Sequence, residues 1–243
     1  MKKVMKAVVS LMLMTVVVFA AGCKKSDDPS NGGNNNGGGG ISHEYVDLGL
    51  PSGTLWATCN VGATKPEGFG DYFAWGETEP KTTYDESTYK WCVGELNNYG
   101  YYDYKYTKYC DSDQLTILQA GDDAATANWG SDWRMPDKEQ WQELIDNTTS
   151  AWTTRNEVYG RIFYGNGQSL FLPAAKVYID NGVVSYNSGK YWSRSLYNRS
   201  VSSAWLLSFD VDDCELFIES YSGHSWGYRR CYGCSVRPVR SAK

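Results

Sequence analysis

The second half of the chain is a succession of short strand patterns, and this feature constrains the fold more than any other. From residue 169 onward, runs of β-branched and aromatic residues alternate with turn signals at hairpin spacing. The segments are "SLFLPAAKVYI", "VVSY", "GKYWSRS", "AWLLSFDV", "ELFIESY" and "SVRPVR". Strands joined by such short connections pair antiparallel. The pattern therefore predicts a mostly antiparallel sheet.

The segment "AWLLSFD" also predicts which side chains share a face. One face of the strand carries three large apolar side chains, those of Trp205, Leu207 and Phe209. The other face carries a mixed set, namely Leu206, Ser208 and Asp210. Because successive side chains of a strand point to opposite faces, we expect the first set to pack inward and the second to face outward.

Helical patterns are confined to the middle of the chain. "DDAATANWG" predicts a short helix that begins at Asp122 or Asp123 and ends before Gly130. In "MPDKEQWQELIDN", Asp137 and Gln140 have the spacing of a capping box. One apolar face follows, made of Trp141, Leu144 and Ile145. With a strand–turn–strand pattern in "YVDLGLPSGTLWATCNVG", the chain is predicted to be α+β.

Residues 80–110 are rich in tyrosine and polar side chains. Their segment "NNYGYYDYKYTKYC" is interpreted as having no sustained period, so we expect a long irregular surface loop. Such loops carry function more often than core segments do.

The N-terminus has the features of an export signal. Lys2, Lys3 and Lys6 precede the apolar run "AVVSLMLMTVVVFA", which is short for a transmembrane helix. The small residues of "AAGC" lead to Cys23, a pattern that resembles the lipobox of bacterial lipoproteins. We expect residues 1–22 to be a lipoprotein signal peptide and Cys23 to be lipidated. An ordinary secretory signal with an incidental cysteine is the alternative.

The segment after Cys23 predicts a tether. Residues 23–40 contain "KKSDDPSNGGNNNGGGG", which has little to bury and much backbone entropy to lose. Asp27 and Asp28 resemble the signal that sends lipoproteins of gut bacteria to the outer face of the outer membrane. Residues 41–243 are predicted to be one domain. We therefore expect a surface-exposed lipoprotein of the cell envelope, held by outer-membrane lipid.

Charge and aromatic content indicate the kind of partner. The full chain has 23 Lys and Arg against 28 Asp and Glu, and the first 40 residues contribute five of the lysines and two of the acids. The predicted domain is thus clearly acidic, which argues against nucleic acid as a partner. Ten Trp and nineteen Tyr favour a ligand-binding surface for a protein or a glycan.

Six cysteines follow Cys23, and an exported chain with this number permits up to three disulfides in fifteen connectivities. Cys231 and Cys234 form a C-x-x-C motif, which is open to two interpretations. Such a pair can lower a thiol pKa or bind a soft metal. Alternatively, it is part of a binding surface. The chain has two histidines, so further soft or imidazole ligands are scarce.

Several motifs in order resemble one family. They are "EYVDLGLPSGTLWATCNVGA", "GDYFAWGET", "DDAATANWGSDWRMPDKEQWQEL", "LFLPAA", "YWSRS", "AWLLSFD" and "SVRPVR". Together they are similar to the Fibrobacter succinogenes major paralogous domain, over residues 43–240. The resemblance implies a C-type-lectin-like fold of the branch that contains formylglycine-generating enzymes, with a twisted, mostly antiparallel sheet and two helices. It also implies a final strand that returns to the middle of the molecule.

The last fifty residues also resemble the variable region of target proteins of diversity-generating retroelements. That resemblance implies a rigid frame with a variable C-terminal binding face. The variable residues, Cys214 among them, are reachable from an Asn codon by changes at adenines, and Tyr221 and Trp226 are expected in the face apart from this criterion. The expected ligand-binding residues are Arg194, Tyr197, Asn198, Arg199, Leu206, Ser208, Asp210, Asp213, Tyr221, His224, Trp226, Tyr228, Cys231, Tyr232 and Cys234. Glu215, Glu219 and Trp226 are not reachable from such codons, so a template would have to encode them.

The sequence leads to a binding protein without catalysis, cofactor or metal. No G-x-S-x-G motif or Ser–His–acid arrangement stands out. Three alternatives stay open. A copper or redox enzyme related to formylglycine-generating enzymes would use Cys231 and Cys234. A structural component of the envelope or of a fimbria would need no site. Calcium would bind the carboxylates of "DVDD" at residues 210–213.

Overall fold

The structure, a computed structural model, describes residues 43–184, 187–197, 200–217, 219–221, 224–226 and 228–242. These residues contain a 3-10 turn at Ala120–Asp122 and the helices α1 (Ala124–Trp129) and α2 (Lys138–Asn147). Their strands are β1 (Tyr45–Asp47), β2 (Thr54–Ala57), β3 (Tyr72–Phe73), β4 (Cys92–Leu96), β5 (Tyr102–Tyr106), β6 (Thr149–Arg155), β7 (Val158–Gly165), β8 (Gln168–Pro173), β9 (Val177–Ile179), β10 (Gly182–Val184), β11 (Gly189–Leu196), β12 (Ser203–Phe209), β13 (Cys214–Phe217), β14 (Glu219–Tyr221), β15 (His224–Trp226), β16 (Tyr228–Arg229), β17 (Cys234–Ser235) and β18 (Val239–Ser241). The predicted α+β class, with mostly antiparallel strands, is confirmed.

A six-stranded sheet forms the centre of the fold. Its strands lie in the order β13-β12-β11-β17-β3, and β16 pairs with the far end of β12. All pairs are antiparallel except β11 with β17. The strands are apolar at successive positions, which is typical of a sheet covered on both faces.

One buried cluster lies on each face of this sheet. The first core cluster includes Phe73, Trp75, Trp192, Leu206, Cys234 and Val236. The second core cluster includes Trp56, Trp141, Tyr191, Leu207, Phe209 and Val239. A third cluster contains Ala74, Tyr84, Tyr89 and Cys231. Gly233 is required beside it, because a Cβ there would lie 2.7 Å from the Tyr84 ring.

The two ends of the described chain meet in a second sheet. Its order is β1-β2-β18, with Val239 opposite Trp56. Pro238 lies between β17 and β18, where its missing N–H breaks no ladder, and its carbonyl accepts a 3.0 Å hydrogen bond from Ala57 N. Val236 and Val239 are fully buried. The two valines of the closing segment therefore pack in the interior of the described fold.

The remaining strands form smaller sheets. Strands β6, β7 and β8 make an antiparallel meander, and β9 pairs with β10. Strands β4 and β5 form a hairpin, as do β14 and β15. The β4–β5 hairpin corrects the prediction of an irregular loop over residues 80–110, because "YDYKY" does alternate with period two and pairs with "CVGEL" over five residue pairs.

Both helices begin at the expected caps. Asp123 accepts hydrogen bonds from Ala125 N and Thr126 N, so Asp123 and not Asp122 caps α1. Asp137 and Gln140 form the predicted capping box of α2. Two residues of the expected apolar face, Trp141 and Leu144, are fully buried, and Ile145 is half-buried. Within the described residues, neither helix is long and apolar enough to cross a bilayer.

Two fully buried arginines tie the C-terminal segment to the frame. Arg237 donates to the carbonyls of Ala57 and Thr58 at 3.1 and 2.9 Å and to Asn60 Oδ1 at 2.8 Å, which is the role of a structural arginine. Burial lowers the pKa of Arg237 to about 10, so the guanidinium stays charged at neutral pH. The sequence analysis did not single out the other, Arg230.

Candidate functional site

The expected binding residues do not all fall within the described structure. Cys23, Asn198 and Arg199 lie outside the described residues. The strands that carry Tyr221, His224 and Trp226 are described, but their side chains are not. The expected roles of these residues stay predictions.

Five of the expected binding side chains are buried, which corrects their assignment to a displayed face. They are Tyr197, Leu206, Tyr228, Cys231 and Cys234. Tyr197 and Tyr228 are under 10 % exposed, and the other three are fully buried. A side chain without accessible surface cannot contact a ligand in this conformation.

The reason is that β12 is covered on both faces. Leu206 packs in the first core cluster and Leu207 in the second, so the predicted alternation is present but both faces are interior. Trp205, expected to be buried, is half-exposed and packs edge-to-face on Tyr197 at 5.3 Å. Alternation in one strand shows which side chains share a face, and it carries no information about what packs against that face.

Arg194 and Tyr232 are half-buried and also serve the frame. Arg194 donates to the carbonyl of Leu118 at 2.5 Å. The ring of Tyr232 packs edge-to-face on Tyr228 at 5.3 Å, against the first core cluster. Neither residue joins the other expected binding side chains at a common surface cleft.

The two thiols of the C-x-x-C motif lie in different surroundings. Cys231 packs in the third cluster and Cys234 in the first core cluster. Burial raises the pKa of both thiols far above its ordinary value, so both are neutral and poorly nucleophilic near neutral pH. Both are free thiols, as are Cys92, Cys110 and Cys214. This geometry is that of packing residues and not of a redox pair.

The structure does bring three expected binding residues together at the end of the central sheet. An open cleft of about 240 Å³ is lined by Ser188, Lys190, Ser208, Phe209, Asp210, Asp213 and Glu215. Lys190, Ser208 and Glu215 are cross-strand neighbours on β11, β12 and β13 and therefore form one row across the sheet. Lys190 Nζ donates to Ser208 Oγ at 2.6 Å.

The acidic turn beside this cleft has a structural role. Asp210 Oδ1 accepts hydrogen bonds from Asp212 N and Asp213 N at 2.8 and 2.9 Å, and these bonds lower the pKa of Asp210. Arg161 donates to the carbonyls of Asp210 and Asp213, each at 2.9 Å. In the described part of the chain, no group of three His, Cys, Asp or Glu residues is placed to hold a metal ion. The calcium interpretation of "DVDD" gains no support.

The chemistry of the cleft is that of polar recognition. It offers one ammonium group, hydroxyls and three carboxylates on a rigid sheet end, with Asp213 and Glu215 exposed. Carboxylates and hydroxyls accept hydrogen bonds from hydroxyl or ammonium groups of a ligand. The sequence analysis missed Lys190 as a site residue, and it set Glu215 apart as template-encoded. The strand register, which places Lys190 and Glu215 on either side of Ser208, is the signal that would have identified both residues.

No family model, curated protein or solved structure matches the chain.

Proposed function

We propose that this chain is a non-catalytic ligand-binding protein of the cell envelope, and that the end of its C-terminal sheet contacts the ligand. The observation that carries the proposal is the cleft lined by Lys190, Ser208, Asp210, Asp213 and Glu215. It retains three residues of the binding face expected from the sequence, namely Ser208, Asp210 and Asp213. A ligand with several hydroxyl or amino groups, on a glycan or a protein, fits its donors and acceptors.

The distribution of reactive groups supports binding over catalysis. A catalytic acid, base or nucleophile needs a pKa matched to its task in an accessible site. Here the thiols with the strongest perturbation, Cys231 and Cys234, are sealed in the core and perturbed toward lower reactivity. The carboxyl of Asp210 has a lowered pKa and is a hydrogen-bond acceptor at neutral pH.

We also propose the C-type-lectin-like architecture implied by the resemblance to the major paralogous domain. Three features support it. The first and last described strands lie in one sheet with β2 between them. Two α-helices accompany a mostly antiparallel sheet within the described residues. The strand β17, near the C-terminus, lies in the interior of the central sheet between β11 and β3.

The anchor belongs to the same proposal. Lipidation at Cys23 would attach the domain to the outer membrane through the tether, at the cell surface. The variant Cys23→Ala should then move from the membrane fraction to the soluble envelope fraction. Retention of this variant in the membrane fraction would contradict lipid anchoring.

The binding proposal is tested with arrays of glycans and of extracellular peptides as probes. The full chain should bind a probe, and the double variant Lys190→Ala, Glu215→Ala should bind it roughly tenfold more weakly. Val211→Ala is the matched control, because Val211 is exposed in the same turn but does not line the cleft. Absence of any bound probe, or equal binding by the double variant, would reject the cleft as the site.

Diversification of the face is a separate part of the proposal. Diversification of Ser208, Asp210 and Asp213 would alter the surface of the cleft. The DNA downstream should contain a near-copy of the segment for residues 190–235 that differs at adenines, beside a reverse-transcriptase gene. Absence of both would remove diversification and leave binding at the cleft untouched.

A further inference from the structure

The β4–β5 hairpin carries the three most exposed aromatic side chains among the described residues, together with the exposed Tyr104. Tyr99, Tyr101, Tyr102 and Tyr104 are 87, 72, 61 and 38 % exposed. Leu96, beside them, is 66 % exposed. Large exposed aromatics that lie together on a monomer's surface mark contact sites more often than isolated ones do.

Two of these rings, those of Tyr102 and Tyr104, lie close together and nearly parallel, and they form what we call the platform. On one face of the hairpin, Tyr104 lies opposite Gly94 and Tyr102 lies opposite Leu96. A Cβ on Gly94 would lie 3.0 Å from the Tyr104 ring and 3.1 Å from the Tyr102 ring, so both rings lie over the glycine. Their planes are only 27° apart, with centroids 6.3 Å apart. The absent side chain of Gly94 leaves room for both rings.

The platform is anchored at its base. Tyr106, next in the same row, lies opposite Cys92 and packs with it against the third cluster. The buried guanidinium of Arg230 lies 4.9 Å from the centroid of the Tyr106 ring. The row that carries the exposed rings thus continues into the third cluster through Tyr106.

The hairpin tip is also braced. Asn97 Oδ1 accepts hydrogen bonds from Tyr99 N and Tyr101 N, each at 3.0 Å. Asn97 N donates to the Tyr101 carbonyl at 2.8 Å, and Gly100 takes the positive φ of 81° that the turn requires. The turn that joins β4 and β5 therefore has a defined backbone conformation.

Within the two strands of the hairpin, the charged side chains lie on the opposite face, whereas Asp85 and Glu86, outside the hairpin, act electrostatically on Tyr104. Val93, Glu95, Asp103 and Lys105 alternate with the platform residues, and Lys105 pairs with Glu95. The platform itself carries apolar rings and phenolic hydroxyls. Its match is an uncharged ligand with an apolar surface and many hydroxyl groups.

The size of the platform favours a narrow ligand over a protein partner. Two strands of five residues, at about 3.3 Å per residue and about 4.8 Å between strands, cover roughly 160 Å² in projection. A standard protein interface needs about 800 Å² from each partner. A glycan chain, which is narrow and can lay its sugar rings on aromatic rings, fits such a strip.

We propose that the Tyr102–Tyr104 platform binds a neutral glycan by stacking its sugar rings on the two tyrosine rings. The site shares no residue with the cleft of Lys190 and Glu215, so it is independent of that proposed function.

The test is native affinity electrophoresis of the full chain in gels that contain a soluble neutral polysaccharide. Mixed-linkage β-glucan, galactomannan and dextran serve as neutral probes, and polygalacturonate serves as the charged comparison. At least one neutral probe should retard the wild-type chain. The double variant Tyr102→Ala, Tyr104→Ala should lose roughly tenfold in affinity, whereas Tyr104→Phe, which keeps the ring, should keep most of it.

Controls separate the platform from its surroundings. Lys105→Ala and Val93→Ala, both on the charged face of the hairpin, should not change the retardation. The unfolding midpoint of each variant establishes that it folds. If no neutral polysaccharide retards the wild type, or if the folded double alanine variant is retarded as strongly as the wild type, the proposal is overturned. A double variant that instead lowers the oligomeric state without a glycan effect assigns the platform to a second copy of the chain and overturns it equally.

Discussion

Arg230 places a positive charge in the interior of the molecule. Its guanidinium is fully buried and donates to Tyr89 Oη and to the carbonyls of Lys108, Tyr109 and Val201, over distances of 2.8 to 3.1 Å. The ring centroids of Trp75 and three tyrosines lie within 5.8 Å of it. A buried cation is tolerated when its donors are satisfied. Its neighbour in sequence, Arg229, is half-exposed and pairs with Glu86.

These neighbours form a matched pair for mutation. Arg230→Met leaves several buried carbonyls unpaired and should lower the free energy of unfolding by about 3 kcal/mol or more. Arg229→Met removes an exposed ion pair and should change it by less than about 1 kcal/mol. Guanidinium unfolding of both variants measures the difference. Equal effects would mean that Arg230 is not the buried anchor described above.

The elements differ in how well the sequence predicted them. The capping box at Asp137 and the cap of α1 are local patterns, and both were predicted. The β6–β7 hairpin was not predicted, because its two-residue turn is Asn156-Glu157. Both residues have positive φ, 48° and 67°. Two-residue turns of this kind usually have Gly at the second position, and this Gly is what predicts them from a sequence. A turn that uses glutamate there gives no such signal.

Glu157 therefore offers a stabilising substitution. Glu157→Gly relieves the cost of a side chain in the left-handed region and should raise the free energy of unfolding by about 0.5 to 1 kcal/mol. Glu157→Ala keeps the Cβ and should give no such gain. Thermal unfolding of both variants measures it. A gain from alanine equal to that from glycine would point to loss of the glutamate charge and not to backbone relief.

At the scale of the whole molecule, the candidate site was predicted only in part. Ser208, Asp210 and Asp213 were expected at the binding face and do line the cleft. Leu206 and the two cysteines of the C-x-x-C motif were expected there and are interior. Their burial depends on clusters built from β3, α1 and other segments remote in sequence, and no local pattern records such packing.

The same buried core makes stability depend on alkaline pH. Burial raises the pKa of Tyr84 and Tyr191 to about 12, above the value of about 10 in an unfolded chain. The folded state then binds more protons between about pH 10 and 12, so this stability is fully present below pH 10 and is lost as the pH rises toward 12. The free energy of unfolding, measured across this range, should fall steadily.

Two variants identify the source of this slope. Tyr191→Phe keeps the ring but removes the titrating hydroxyl, so its stability should fall less steeply with pH. Tyr99→Phe, at an exposed position, should keep the wild-type slope. A Tyr191→Phe slope equal to that of the wild type would contradict the role of the buried phenol.

The central structural finding is that the C-x-x-C motif belongs to the interior frame and is not displayed at a surface. Mass-spectrometric mapping of iodoacetamide labelling tests this claim most directly. Because both thiols are fully buried and have raised pKa values, Cys231 and Cys234 should stay unlabelled in the native chain while the half-exposed Cys110 reacts, and all three should react after unfolding in guanidinium. Native labelling of Cys231 or Cys234 at the rate of Cys110 would place the motif on the surface and contradict the account.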